Sequence, residues 1–182
     1  MKVYLAMYNN KKTFTDRLIS FVSRGPYSHC EVIIGDMAYS ASVRDGKRVR
    51  RKEIKDMKLD SGNWDIYYLF DVDPSLLEGF DCWWDQVEGS GYGFQTLIFN
   101  HLLRLPVEFD GEYICSQICY KIIKLIGRSA KCDDRYFDKG KWENEDCAHI
   151  LTPTSMLAYL MRYIDIGNIE KDNSIIVKDA TK

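Results

Sequence analysis

The chain lacks an excess of charge of either sign. Its 25 Lys and Arg face 27 Asp and Glu, a formal net charge of -2 over 182 residues. That balance leaves no electrostatic footing for nucleic acid as the main partner. The chain also has no apolar run near the about 20 residues that span a bilayer, so stable membrane insertion is not expected. The opening stretch, Met1 to Asn10, is too short and polar for a secretory signal. Six cysteines include no Cys-x-x-Cys pair, which weakens the case for structural zinc. Without a signal they read as reduced thiols of an intracellular protein, cytoplasmic or virus-encoded. The glycines of 89–93 follow no expected strand and precede no Lys-Ser/Thr, so a nucleotide cradle is not supported and no cofactor is predicted. There is no internal repeat and no linker.

What is present is ordinary globular material, 46% hydrophobic and 29% charged. Its length suits one domain with a real core, residues 1–182, with the tail from about 166 peripheral. Val3, Leu5 and Met7 alternate with their neighbours as in a strand. Thr13 or Thr15 can cap a helix whose apolar positions are Phe14, Leu18, Phe21 and Val22, closed by Arg24-Gly25-Pro26. Further on, 64–72 predicts a strand, Asp73-Pro74 opens a helix to about Val87, and Phe94 to Leu103 forms a second amphipathic stretch. Thr152-Pro153 starts a last helix buried through Met156, Leu157, Leu160 and Met161. The basic run Arg44 to Lys52 reads as a solvated loop, 128–146 as an irregular connection, and 174–177 as a possible terminal strand.

The most informative stretch starts at Cys115. Apolar residues then fall at Ile118, Cys119, Ile122, Ile123 and Ile126, one face of a helix, with Gly127 as a stop. A thiol at a helix start has its thiolate favoured by the positive end of the dipole. The backbone N–H of Cys115 is also a natural oxyanion donor. The same position suits an ordinary buried cysteine, so the functional reading needs a partner.

One partner stands on a predicted hairpin. Ser28 to Ile34 and Met37 to Val43 flank Gly35-Asp36, a two-residue link suited to a type II′ turn. That turn sets His29 opposite Ser42, Glu31 opposite Ser40 and Ile33 opposite Ala38. Alternation then places His29, Glu31, Ser40 and Ser42 on one face, and Cys30, Val32, Tyr39 and Ala41 on the other. A helix-start thiol, a strand imidazole and a polar group to hold it are the parts of a thiol hydrolase. A structural thiol with a satisfied strand histidine fits the same pattern.

Tyr27-Ser28-His29-Cys30-Glu31, the following Tyr39-Ser40-Ala41, and Tyr113-Ile114-Cys115-Ser116-Gln117 together resemble the permuted NlpC/P60 papain-like group. That group includes YiiX-like and lecithin retinol acyltransferase-like proteins, some of them phage-encoded, and in it histidine precedes cysteine. Leu151-Thr152-Pro153-Thr154 resembles the segment after the cysteine helix in YiiX-like members. The resemblance implies an α+β fold, an antiparallel sheet packed against helices in the permuted papain-like arrangement. It also implies Cys115 as nucleophile and His29 as general base. The family's third residue is often a glutamate before alanine on the next strand. Here that place holds Ser40, a weaker orienter. The hairpin register offers Glu31 as the carboxylate for His29, with Ser40 and Ser42 as alternatives.

The expected chemistry is acyl transfer from an amide or ester, on a peptide, isopeptide or acyl substrate, through an acyl-enzyme. Tyr27, Ser40, Ser42 and Tyr113 are candidate substrate contacts, whereas Tyr92 reads more simply as packing. Two other readings compete. One is a papain-like binding module without catalysis, favoured by Ser40. The other is a zinc site built from Cys132, Cys147 and His149, or from Cys115 and Cys119 one helical turn apart.

Overall fold

The computed structural model describes residues 1–103, 105, 107, 109–129 and 151–163. Seven strands form one sheet: β1 (Lys2–Tyr8), β2 (His29–Ile34), β3 (Met37–Ser42), β4 (Arg48–Glu53), β5 (Trp64–Asp71), β6 (Gly91–Tyr92) and β7 (Glu112–Tyr113). They lie in the order β5-β1-β2-β3-β4-β6-β7. Every neighbouring pair is antiparallel except β6 with β7. The helices are α1 (Phe14–Ser23), α2 (Leu77–Val87), the turn α3 (Phe94–Thr96) running into a π-helical segment Leu97–Leu102, α4 (Cys115–Ser129) and α5 (Pro153–Tyr163). The molecule is therefore α+β with a mostly antiparallel sheet, as expected. No helix among the described residues is long and apolar enough to cross a membrane.

Strand alternation divides the core into two layers. Val3, Leu5 and Met7 of β1 and Cys30, Val32 and Ile34 of β2 face a large cluster completed by Ile118, Ile122 and Ile126 of α4. Tyr4, Ala6, Ile33 and Ala38 face the other way and are covered by Ile54, Met57, Leu59 and Trp64. The covering segment holds two 3₁₀ turns, Ile54–Met57 and Leu59–Ser61. With both faces covered, β1 and β2 are buried almost throughout.

Several local expectations match in detail. Thr13 caps α1 by accepting from the Asp16 N–H, and the Asp16 carboxylate accepts from the Thr13 N–H in return. Gly35 takes φ +58°, the conformation a type II′ turn requires at its first central residue. Asp73 caps a 3₁₀ turn, Pro74–Leu76, that leads into α2. The Thr152 hydroxyl accepts from the Ser155 N–H at the head of α5.

Four expectations need correction. Arg48 to Glu53 is not a solvated loop: it is β4, paired along its length with β3. Val49 and Arg50 are buried within it, so the basic run conceals an inward-facing alternation. α4 continues through Gly127 to Ser129, because Ile123 and Ile126 hold its last turns against the core. α1 turns Phe14, Leu18 and Phe21 to solvent and packs through Asp16, Ile19, Ser20 and Ser23. Finally, the hairpin has the expected register at Ile33–Ala38, but its paired residues are Val32–Ile34 with Met37–Tyr39. Beyond them the Cys30 carbonyl accepts from the Ser40 hydroxyl at 2.7 Å and from the Cys119 thiol at 3.4 Å. The strand at 174–177 and the connection across 130–146 lie outside the described residues.

α4 packs on β2 and β3 and touches α2 and α5. Its fully buried Ile118 sits one turn after Cys115. Ile118→Ala should lower the unfolding free energy by about 2–5 kcal/mol, read from urea titration. A smaller loss would mean that α4 is not anchored through this face.

Candidate active site

Cys115 opens α4 directly after the short strand β7, and Ile118 N–H donates to the Ile114 carbonyl in the first helical bond. As the first helical residue, Cys115 has an N–H without an intrahelical acceptor. Cys115 is 2% exposed, and its thiol feels the Cys30 thiol and the His29 imidazole as neighbours. The Cys30 thiol holds the Cys115 pKa well below the ordinary thiol value. Burial opposes this, and His29 adds to it as hydrogen-bond partner and positive charge. Cys30 moves the opposite way, pushed up by burial and by the neighbouring Cys115 and Cys119. The two adjacent thiols are thus pushed in opposite directions, Cys115 down and Cys30 up.

His29 begins β2, and its Nε2 lies 3.1 Å from Oε1 of Glu31. An ionised carboxylate can only accept, so Nε2 carries the proton and Nδ1 is the nitrogen left for Cys115. Burial alone would lower the imidazole pKa. The Cys115 and Glu31 contacts outweigh it and raise the value above that of free histidine. Trp64 stands edge-on to the imidazole, with ring centroids 6.3 Å apart.

Glu31 is fully buried yet ionised, which requires compensation. Burial pushes its pKa up, but His29 and Arg50 hold it far below the usual carboxylate range. Arg50 grips it with both arms of the guanidinium, Nη1 to Oε2 at 3.0 Å and Nη2 to Oε1 at 2.8 Å. The same guanidinium donates through Nε to Asp45 at 2.7 Å, and Lys52 comes within 3.5 Å of Glu31. A line of alternating charge therefore runs His29, Glu31, Arg50, Asp45.

The structure brings together Cys115, His29 and Glu31. It sets Ser40 apart from the imidazole, because the Ser40 hydroxyl donates to backbone carbonyls. Ser42 accepts from the N–H groups of Arg44 and Asp45, stabilising the turn that presents both residues. Tyr27 donates its hydroxyl proton to Asp65 and accepts from the Tyr67 hydroxyl, both on β5. Tyr113 is half-buried beneath the Lys121 ammonium.

Two cavities flank His29. One, of about 140 Å³, lies between the head of α1 and the β3–β4 turn, where Thr13, Asp16, Ser28, Ser42, Arg44 and Tyr92 meet His29. The other, of about 210 Å³, has Tyr8, Trp64, Lys52, Lys58, Asp45 and Glu31 around the imidazole. Arg44 divides them, ion-paired to Asp16 and lying over the Tyr8 ring at 4.2 Å. Ser42 lines both, whereas Tyr27, Ser40 and Tyr113 line neither.

Among the described residues, no group of three or more His, Cys, Asp or Glu could hold a metal ion. Cys132, Cys147 and His149 lie outside the described residues. Cys119 directs its thiol to the carbonyls of Cys30 and Tyr39. Arg50, Asp45 and Trp64 escaped the sequence reading, whereas Tyr92, a candidate pocket wall read more simply as packing, is buried and also lines one cavity. For Arg50 a signal existed: Arg48-Val49-Arg50-Arg51-Lys52 places it at even spacing from Arg48 and Lys52, on a strand opposite Ser40.

Arg50→Met should cost about 3 kcal/mol near neutral pH, because it leaves a buried carboxylate with weaker compensation. The folded pKa of Glu31 lies below its unfolded value. Its stabilising contribution is therefore present above the ordinary carboxylate range and lost as pH falls through the depressed value. The gap between wild type and variant, measured by denaturant titration, should accordingly shrink toward acid pH. A gap independent of pH would show that the pair carries no such linkage. Compared with known proteins, the chain matches no protein-family model and no curated protein.

Proposed function

We propose that this chain is a cysteine hydrolase or acyltransferase of the permuted papain-like type. The observation that carries the reading is the buried imidazole of His29, placed between a helix-start thiol of depressed pKa and an ionised carboxylate. In the resting state the proton of Cys115 resides on His29, giving a thiolate–imidazolium pair. The sulfur attacks the carbonyl carbon of an amide or ester, and the carbonyl electron pair moves to oxygen. The Cys115 N–H stabilises that oxyanion. The imidazolium then protonates the leaving amine or alcohol as its bond to carbon breaks, leaving an acyl-thioester. Water or another acceptor gives a proton to His29, attacks the acyl carbon, and releases the thiolate. Glu31 keeps the imidazole in the tautomer and orientation this sequence needs, in the place where related proteins often use a residue on the following strand. The acceptor decides between hydrolase and transferase.

A second reading is a binding module on the same scaffold, without turnover. It is favoured by the burial of the Cys115 sulfur, which lines neither cavity beside His29.

The two readings separate on covalent chemistry. The folded chain, given p-nitrophenyl esters and peptide thioesters, should form an acyl adduct on Cys115, visible by intact mass and peptide mapping. Cys115→Ala should abolish it, and His29→Gln should slow acylation by about 10²–10⁴-fold. Iodoacetamide should also label Cys115 below the ordinary thiol range and faster than it labels the exposed Cys82. If the native chain forms no adduct and Cys115 reacts only after unfolding, the hydrolase reading fails and the binding module stands.

A further inference from the structure

α1 carries its apolar stripe on the wrong side for a core helix. Phe14, Leu18 and Phe21 follow one another at helical spacing, and Phe14 is 81% exposed and Phe21 77%. The inward face is instead mostly polar, with Asp16, Ser20 and Ser23 beside Ile19. α1 touches the π-helical segment Leu97–Leu102, where Ile98 and Phe99 are exposed, as is the following Leu103. Two neighbouring elements thus both expose large apolar side chains, the kind of clustering that marks an interaction site.

The charges around it are one-sided. Between residues 11 and 24 the exposed charged side chains are Lys11, Lys12, Arg17 and Arg24, all cationic. The single acid in that stretch, Asp16, is buried and ion-paired to Arg44. This local excess stands out in a chain whose net charge is -2. Protruding phenylalanines with a basic rim fit the boundary of a bilayer, where rings enter the acyl region and cations meet headgroup phosphates. They fit a second copy of the chain poorly, since a two-fold contact here would set four cations against four. Lysine is also depleted in protein interfaces.

We infer that α1 and the adjoining exposed residues Phe94, Ile98, Phe99 and Leu103 form an interfacial docking face for anionic membranes, holding the protein on the surface without crossing it. The inference does not rest on the chemistry assigned to Cys115. The cavity between α1 and the β3–β4 turn meets the inward face of α1 at Asp16 and Ile19, opposite the phenylalanines.

The test is co-sedimentation of the full chain with phosphatidylcholine vesicles, with and without phosphatidylserine. The expected result is partitioning that requires phosphatidylserine and weakens as salt is raised. Phe14→Ser with Phe21→Ser should reduce it at least about tenfold, as should Lys11→Gln, Lys12→Gln and Arg17→Gln together. All five positions are exposed, so the thermal midpoint should stay unchanged. Two results would overturn the inference: no partitioning at low salt, or partitioning equal on both vesicles and indifferent to either set of substitutions. A concentration-dependent dimer in light scattering, dissolved by the phenylalanine substitutions while vesicles are ignored, would assign the face to a second copy instead.

Discussion

A carboxylate buried in the middle of a sheet governs how the rest of this molecule is arranged. Glu31 has no exposure and stays ionised, so the fold must bring cations to it. It does so along one row of the sheet. β2, β3 and β4 are consecutive, and Ser40 of β3 pairs directly with Arg50 of β4. A side chain as small as serine lets the guanidinium lie across β3 and reach Glu31 on the strand beyond. On the other side of β2, Glu31 pairs with Ala6 of β1, another small neighbour. The charge pair therefore ties β2 to β4 with bidentate geometry, and it depends on short side chains flanking it.

This row also accounts for a serine at position 40. An acid at position 40 would bring a second carboxylate beside Glu31 and compete for Arg50. With Glu31 already contacting the imidazole at 3.1 Å, the orienting charge sits on the histidine's own strand. Ser40 takes a backbone role, donating to the Cys30 carbonyl where ladder pairing has stopped. The Cys119 thiol shares that acceptor from α4. The site end of β2 is thus paired with β1 through Met7 and Tyr8, while on its β3 side it is held by side chains.

How much of this was legible in the residues depended on whether the signal was local. The α4 pattern, the α1 and α5 caps, the Gly35 turn and the closeness of Glu31 to His29 all follow from spacing within a few residues. β4 was not legible, because five charged residues in six look like a solvated run. Their inward alternation has meaning only once Glu31 and Asp45 are known to need partners. The direction of α1 was hidden for a related reason. Periodicity identifies a stripe but not what it faces, and here the core-facing positions are Asp16, Ser20 and Ser23, which hydrophobicity does not single out. Asp16 faces inward because its carboxylate caps the helix and also accepts from Ser28 and pairs with Arg44.

That arrangement links the two unusual features of the molecule. α1 is fixed to the sheet end by polar contacts around Asp16, so its apolar residues are free to face outward. The same contacts place Arg44 between the two cavities beside His29, over the Tyr8 ring. A ligand approaching the imidazole from the α1 side meets Thr13, Ser42 and Tyr92, and Tyr92 is itself buried and pushed to high pKa by burial and by the charge on Cys115. A neutral phenol close to an ionised thiol stabilises the anion less than a cation would, but it excludes water. Exclusion would strengthen the attraction within the proposed thiolate–imidazolium pair, since charge interactions grow as the local dielectric falls. Burial by itself raises the Cys115 pKa, so the depression at this site is owed to Cys30 and His29.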